Sequence, residues 1–267
     1  MTTTQQTSDL TEDADGQPGQ ESAALRAAGL LRDRIVSGDL RSGTPLRETL
    51  LAAELKVSRN TLREALRQLT HEGLVNQVLY KGAVVPIMTD EDVSDIFRAR
   101  RAIQIHAVLE SHNAPAAQLN RLSDEIEAAA AAIARNDWKA AGTASLHFHQ
   151  AIVALIGSAK LDGFFHVLSA QLSLALAEAR GDSVFQSRWV PRNRDICAFI
   201  RAGRREEARA ALLAFIDASE VVVRGIVRHG WDNFKTQEAA AQVPQDRLTP
   251  PEEPNSLAQF FRTSAPS

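Results

Sequence analysis

The sequence predicts a mainly α protein, with an N-terminal winged helix-turn-helix followed by an all-helical bundle. Three observations predict it. Apolar residues recur at three- and four-residue spacing through most of residues 22–232, the period of an amphipathic helix. Aromatic residues make up only 5% of the chain while Ala, Leu and Arg are abundant, which favours helices over a β-sandwich. Near the N-terminus, the elements follow the order helix, helix, helix, hairpin.

Leu25, Ala28, Leu31 and Ile35 place a first helix at about 22–37, closed by the turn residues Ser37-Gly38-Asp39 and Ser42-Gly43-Thr44-Pro45. Leu51 and Leu55, four apart, place a short second helix at about 47–55. Lys56-Val57 is a tight connection, and Ser58 stands where an N-cap is wanted. The third helix runs to about Thr70, with Leu62, Ala65, Leu66 and Leu69 on one stripe. Gly73 stops it. Residues 74–79 and 83–85 read as two strands joined through Tyr80-Lys81-Gly82.

The 267 residues carry 30 Lys and Arg against 33 Asp and Glu, a formal charge of −3 that conceals an uneven distribution. Residues 1–21 hold five acids and no Lys or Arg, whereas residues 22–86 hold ten Lys and Arg against six acids. Both ends are polar, without apolar period, and are expected to be disordered: an acidic leader over 1–21 and a tail over 235–267. Leu257, Phe260 and Phe261 form an apolar cluster in that tail, either unstructured or docking. A single cysteine, Cys197, excludes an internal disulfide framework and suits a reducing compartment. No apolar run reaches the ~18 residues needed to cross a bilayer, so no membrane partner is expected. The N-terminus lacks a basic-then-apolar signal segment, and the expected location is the cytoplasm.

With the apolar stripe of the third helix inward, Arg59, Asn60, Arg63 and Arg67 face out. Arg59 and Arg63 are neighbours one turn apart. Arg donates two hydrogen bonds to guanine O6 and N7, and Asn pairs with adenine N6 and N7, from the first turn of a recognition helix. Ser58 and Thr61 are short hydroxyl residues suited to phosphates near a helix N-terminus. Lys81 and Gly82 at the hairpin tip can approach a phosphate or the minor groove. The alternative for the arginines is a solvated face, paired with acids such as Glu64. The expected partner of this face is double-stranded DNA.

The stretch Leu46-Arg47-Glu48-Thr49-Leu50-Leu51-Ala52-Ala53-Glu54-Leu55-Lys56-Val57-Ser58-Arg59-Asn60-Thr61-Leu62-Arg63-Glu64-Ala65-Leu66-Arg67-Gln68-Leu69 resembles the signature of GntR-type bacterial transcriptional regulators. Glu72-Gly73-Leu74-Val75 and Lys81-Gly82-Ala83-Val84-Val85 resemble the wing of that family. The resemblance covers residues 22–86, and 22–88 is taken as the DNA-binding domain. It implies DNA contacts at Ser58, Arg59, Asn60, Thr61, Arg63, Lys81 and Gly82, with Thr49 a weaker candidate. The family usually has Thr-Pro where this chain has Asn60-Thr61, which bears on base preference rather than fold.

Residues 89–234 read as six amphipathic helices, an effector-binding and dimerisation domain. Thr89-Asp90-Glu91 opens the first, with Val93, Ile96, Ile103 and Val108 inward. Pro115 opens the second and Asn136-Asp137 caps the third. Leu161 to Ala179 is the fourth. A fifth, from about Phe185 to Arg201, contains Pro191. Gly203 precedes a last long helix with Leu212, Leu213, Ile216, Val222 and Val223. Phe148-His149, Gly157-Ser158-Ala159-Lys160-Leu161 and Ile196-Cys197-Ala198-Phe199-Ile200-Arg201-Ala202-Gly203 resemble the FCD ligand-binding domain of one large GntR branch.

Many members of that branch hold a metal through one aspartate and three histidines. Carried onto this chain, those positions are Ser145, His149, Asn193 and Phe215. One ligand of four survives, and His147 at i,i+2 from Ser145 lies on another face, so no metal and no cofactor is expected. His149 is then either a hydrogen-bonded interior histidine or an effector contact. Gln104 stands where the family often has glutamate. Arg100 and Arg101 offer a positive partner to an effector head group, or else helix-surface ion pairs. Such a cavity suits an effector with a substantial apolar part, an acyl-CoA or lipid-derived acid.

The function these readings imply is a homodimeric DNA-binding regulator, in its family's commoner outcome a repressor. Its affinity for a palindromic operator would be modulated by a small-molecule effector that changes the relative orientation of two winged helices. The alternatives are a structural DNA-binding protein without an effector, and an enzyme built on Cys197, Ser145 and His149. The second lacks a placed orienting carboxylate and an oxyanion-type glycine turn.

Overall fold

The computed structural model describes residues 22–241, with side chains through residue 236. The acidic leader and the Leu257, Phe260 and Phe261 cluster lie outside the described residues. The N-terminal part contains α1 (Ala23–Val36), α2 (Glu48–Glu54), α3 (Arg59–His71), β1 (Asn76–Val78) and β2 (Gly82–Val84). The second part contains α4 (Asp90–Glu110), α5 (Ala116–Ala134), α6 (Trp138–Ala154), α7 (Ala159–Ala175), α8 (Ser183–Arg201), α9 (Arg205–His229) and α10 (Trp231–Ala241). A 3-10 turn, Ser111–Asn113, links α4 to α5.

The three N-terminal helices form where the apolar period places them, and the predicted Ser58 cap is present. Leu62, Ala65, Leu66 and Leu69 of α3 are buried against Ala27, Ala28, Leu31 and Ile35 of α1 and Leu51 of α2. Gly73 holds φ +67°, the left-handed conformation that lets the chain leave α3 and enter the wing. The strands are shorter than predicted, paired antiparallel as Asn76 to Val84, Gln77 to Ala83 and Val78 to Gly82. Pro45 bridges to Val84, and the Leu46 amide donates to the Ala83 carbonyl at 2.8 Å. The segment after α1 thereby covers the outer edge of the hairpin.

Every helix of the bundle that the sequence predicts is present. Thr89 and Asp92 form a reciprocal capping box at the start of α4. Asp137, Ser158 and Asp182 accept backbone N–H bonds at the starts of α6, α7 and α8. Pro191 sits inside α8 without ending it. The largest buried side chains here include Phe97, Phe148, Phe165, Leu122, Ile152 and Ile196.

Two differences from the predicted elements stand out. α7 gives up its regular helix at Ala175, four residues early, and a run of turns carries the chain through Arg180. α10 crosses the expected boundary at residue 234. Its Trp231 is buried, with Nε1 donating to Asp182 at 2.9 Å and the ring 5.5 Å from that of Phe185. Gly230 breaks α9 and the two aromatics Trp231 and Phe234 fold back on the bundle, so the residues after 230 are anchored by packing despite their polar neighbours.

The two parts share a seam. Ala170 and Leu174 of α7 belong to the core of the N-terminal part. Within the N-terminal part, Arg32 of α1 forms a paired contact with Glu72 at the end of α3, through Nε at 2.9 Å and Nη2 at 2.6 Å. Lys139 of α6 lies 3.4 Å from Asp39.

Candidate nucleic-acid interface and ligand cavity

α3 begins at the solvent-facing end of the N-terminal part. Ser58 Oγ accepts from the Thr61 amide at 3.0 Å and shares a hydrogen bond with Thr61 Oγ1 at 2.7 Å. Those two hydroxyls therefore fix the first turn before any ligand arrives. Arg59, Asn60, Arg63 and Arg67 are all exposed. Among the described residues no ion pair engages Arg59 or Arg67. Arg63 is held: its Nε donates to Glu48 Oε2 at 2.8 Å, a contact from the start of α2 rather than from the expected neighbour Glu64. Thr49, beside Glu48, is exposed as well.

Lys81 and Gly82 sit at the exposed hairpin tip, where Gly82 takes φ +74°. The tip also presents Tyr80, 98% exposed and itself at φ +64°. Its exposure agrees with its place in the turn Tyr80-Lys81-Gly82 that the sequence puts between the two strands. The structure thus gathers Ser58, Arg59, Asn60, Thr61 and Arg63 on one helix face, with Thr49 near it and Lys81 and Gly82 on the wing.

The bundle encloses a cavity of about 40 Å³ between α4, α6, α7, α8 and α9. Phe97, Leu172, Phe185, Trp189, Phe215 and Val223 supply apolar walls, and Arg100, Ser145, His149, Arg180 and Gln186 supply polar groups. Six of the seven sequence-predicted effector residues meet here. Arg100, Ser145, His149 and Phe215 line the space, and Gln104 stands directly behind His149, its Nε2 donating to Nδ1 at 2.9 Å. Asn193 stands behind Ser145 and donates to its Oγ at 2.8 Å. Arg101 does not join them. It turns to the outside of the bundle and pairs with Asp217 at 2.7 Å and with Glu220.

These contacts settle the chemistry of the positions that resemble metal ligands. His149 Nδ1 is occupied by Gln104, Ser145 Oγ is occupied by Asn193, and the Phe215 ring lies 4.5 Å from the imidazole. A donor set of one histidine, one hydroxyl, one amide and a phenyl ring does not fit a divalent metal. His147, two residues from Ser145, faces Glu125 at 3.6 Å on another side of α6. Among the described residues no group of three or more His, Cys, Asp and Glu is arranged to hold a metal ion.

Burial holds the His149 imidazole well below the usual histidine range, helped by the charge of Arg100, so it is neutral at pH 7. Burial also pulls Arg100 down to about 9, with the neighbouring charge of Arg101 as a second cause, and Arg180 down to about 10. Both guanidiniums stay charged at neutral pH. Cys197 is buried in the core with its thiol pushed up by burial. It is not poised as a nucleophile.

Arg180, Trp189 and Gln186 are the residues that sequence reasoning missed. Arg180 lies just past α7 in what reads as the polar turn before Gly181-Asp182-Ser183, where an arginine normally points to water. Here Gln186 Nε2 holds the Arg180 carbonyl at 2.8 Å, and the side chain turns inward. Gly142 of α6 makes that path possible, because a Cβ there would lie 2.5 Å from Gln186 Nε2 and 3.1 Å from Arg180 Cγ. An unexplained glycine in mid-helix, facing a predicted turn, was the available signal.

Comparison with known proteins gives a consistent picture. The model of the family "Bacterial regulatory proteins, gntR family" matches residues 23–85, and that of the FCD domain matches residues 95–218. The gluconate operon transcriptional repressor of Bacillus licheniformis is 41% identical over 83 residues, 31% of this chain and 34% of that protein. The chain thus spans about a third of the length of that relative. An uncharacterised HTH-type transcriptional regulator from the TAR-I ttuE-ttuC' intergenic region of Agrobacterium vitis is 30% identical over 150 residues, 55% of this chain and 86% of that protein. Among solved structures, a transcriptional regulator GntR from Rhodococcus sp. RHA1 superposes with a TM-score of 0.69 at 30% identity, covering 76% of this chain and 97% of the other.

Proposed function

Because the chain belongs to the GntR family of bacterial regulatory proteins, with an FCD domain behind its winged helix, we propose that it is a sequence-specific DNA-binding regulator. In this reading it acts as a homodimer on a palindromic operator, as a repressor whose affinity is set by a small molecule held in the helical domain. The observation that carries the reading is the exposed, basic first turn of α3. Arg59 and Asn60 stand free at its start, beside a wing that ends in Lys81. One such turn reads only a few base pairs, and two on a palindrome multiply specificity.

The cavity between α4 and α9 supports the effector half of the reading against a purely structural DNA-binding protein, whose bundle would be filled. Its volume of about 40 Å³ favours a compact effector over the acyl-CoA that the sequence suggested. No chemistry is assigned to Cys197, Ser145 and His149, which serve the core and the cavity wall. Selection of duplexes from a random library, followed by anisotropy titrations and light scattering, tests the proposal. The expected result is enrichment of an inverted repeat bound by two chains. Equal affinity for selected and unselected duplexes would refute it.

A further inference from the structure

The cavity contains two cations and no anion. Arg100 and Arg180 are each 4% exposed, and both line it. Arg100 Nε donates to Gln104 Oε1 at 3.3 Å, and its guanidinium lies 4.8 Å from the centre of the Phe97 ring. Arg180 Nη2 donates to Ser173 Oγ at 3.0 Å, while its Nε and Nη1 have no hydrogen-bond partner. Among the described residues neither arginine is paired with a carboxylate. A buried guanidinium without a counter-charge is strongly unfavourable, and one with two idle donors more so.

The other idle group on the lining points the same way. Trp189 Nε1 has no partner. Because Gln104 donates to His149 Nδ1, the imidazole proton sits on Nε2, which makes that atom a donor too. Asn193 Oδ1, behind Ser145 and off the lining, is the acceptor to which that imidazole proton is directed, so His149 Nε2 is not left for a ligand. Three unpartnered N–H donors on two residues, Arg180 and Trp189, therefore belong to the lining of a small space walled by Phe97, Phe185 and Phe215. A donor-rich, cationic and aromatic space calls for a ligand whose acceptor oxygens carry charge and whose remainder is apolar.

We infer that this cavity takes a compact monocarboxylate directly on the guanidiniums of Arg180 and Arg100, with no metal ion between. The inference rests on the effector-binding reading of the helical domain. It replaces the expected acyl-CoA or lipid-derived acid, and it turns on Arg180, which the sequence reading did not foresee. Arg180 is the anchor, since Arg100 already spends its Nε on Gln104. The carboxylate occupies the side of the space that Arg180 Nε and Nη1 face, and the short apolar body lies among the aromatic rings.

The test is thermal unfolding of the full chain with formate, acetate and propionate, each against its neutral amide, with and without EDTA. Inorganic phosphate and hexanoyl-CoA serve as further probes. The acids are expected to raise Tm by about 5 °C at a hundredfold excess over Kd, unchanged by EDTA, while the amides do little. Arg180→Met keeps the side-chain length, is expected to hold or raise Tm without ligand, and abolishes the response to acids. Gly142→Ala, which displaces Arg180 without removing it, is expected to weaken that response at least tenfold.

The inference is overturned if amides match acids, if stabilisation needs added zinc, or if none of the three acids shifts Tm. It is equally overturned if only phosphate or hexanoyl-CoA shifts Tm, or if Arg180→Met keeps the response. Anisotropy on the selected duplex separates this from the functional reading. Acid binding that leaves DNA affinity untouched upholds the site and sinks the effector role, whereas a DNA response to the acid that survives Arg180→Met sinks the site.

Discussion

Gln171 of α7 donates its side-chain amide to the backbone carbonyl of Glu72 at 2.8 Å, joining the helical bundle to the last residue before the wing. The same helix supplies Ala170 and Leu174 to the core of the DNA-binding part and Leu172 to the cavity, with Leu176 just past its end also on the lining. α7 therefore touches both, and a ligand that moves it has a route to the wing. Gly73 lets Gln171 approach, since a Cβ there would lie 2.7 Å from the amide nitrogen.

Gly73→Ala is expected to destabilise the protein by roughly 1–2 kcal/mol, the cost of an L-residue in the left-handed region. It should also push Gln171 off Glu72. Gln171→Ala removes only the hydrogen bond, about 1 kcal/mol. It should leave α3 folded while speeding amide exchange in residues 72–75. Unchanged exchange there in Gln171→Ala would show that the bond does not hold the joint.

The recognition face makes a graded set of outcomes. Arg59→Ala should cost about 1–3 kcal/mol of specific DNA binding, the range for a bidentate base contact. Arg63→Ala should cost less if Glu48 keeps Arg63 from the bases, because its Nε is already engaged. Glu48→Gln discriminates the two roles of that acid. It should raise affinity for all duplexes by removing a negative charge near the phosphates, and sharpen preference at the base that the released Arg63 meets. Anisotropy titrations on selected and scrambled duplexes measure both. Lys81→Ala should weaken both duplexes alike and lower the salt slope.

At the first position of α4, Asp90 accepts two hydrogen bonds from Arg224, at 2.9 and 2.7 Å, and one from Arg228 at 2.7 Å. These guanidiniums hold its carboxyl far below the usual carboxylate range. A depressed carboxylate pKa means stability that is present above the unfolded value, near 4, and lost as pH falls through the folded one. Asp90→Asn should therefore lower Tm at pH 7, and its difference from the parent should shrink as the pH drops below 4. A constant difference across that range would mean that Asp90 acts through helix capping rather than through charge.

The helices were legible because burial imposes a period, and the period is written in Leu62, Ala65, Leu66 and Leu69 as plainly as anywhere. Local chemistry was legible for the same reason at Ser58 and Thr89, whose partners lie three residues away. What stayed hidden depends on long-range geometry. Arg63 and Glu48 are fifteen residues apart, and which acid an exposed arginine meets is decided by the angle between α2 and α3. Arg101 and Arg100 are adjacent in sequence, yet one turns to Glu220 outside and the other into the cavity. The seventh helix of the bundle, α10, was hidden because its polar residues mask two aromatics, Trp231, which docks on Asp182 and Phe185, and Phe234, which stacks on Trp231.

His149 gives the sharpest dependence on pH. Its neighbours are Arg100 and Gln104 on α4, Asn193 on α8 and Phe215 on α9, and its folded pKa lies well below 6.5 through burial first and Arg100 second. Below pH 6.5 the unfolded chain binds a proton that the folded chain does not, so stability falls as pH falls. The slope is about 1.4 kcal/mol per pH unit for one such group. His166, on the exposed side of α7, is shifted the same way by desolvation and by Arg32, and contributes less because water still reaches it. His149→Gln keeps a hydrogen-bonding group beside Gln104 and removes the titration. Denaturant midpoints between pH 6.5 and 5 should fall steeply in the parent and much less in His149→Gln, with His166→Gln in between. Equal slopes in the parent and His149→Gln would mean that the imidazole is already protonated inside the fold, and the donor assigned to Nε2 would then have to be counted as part of a cation.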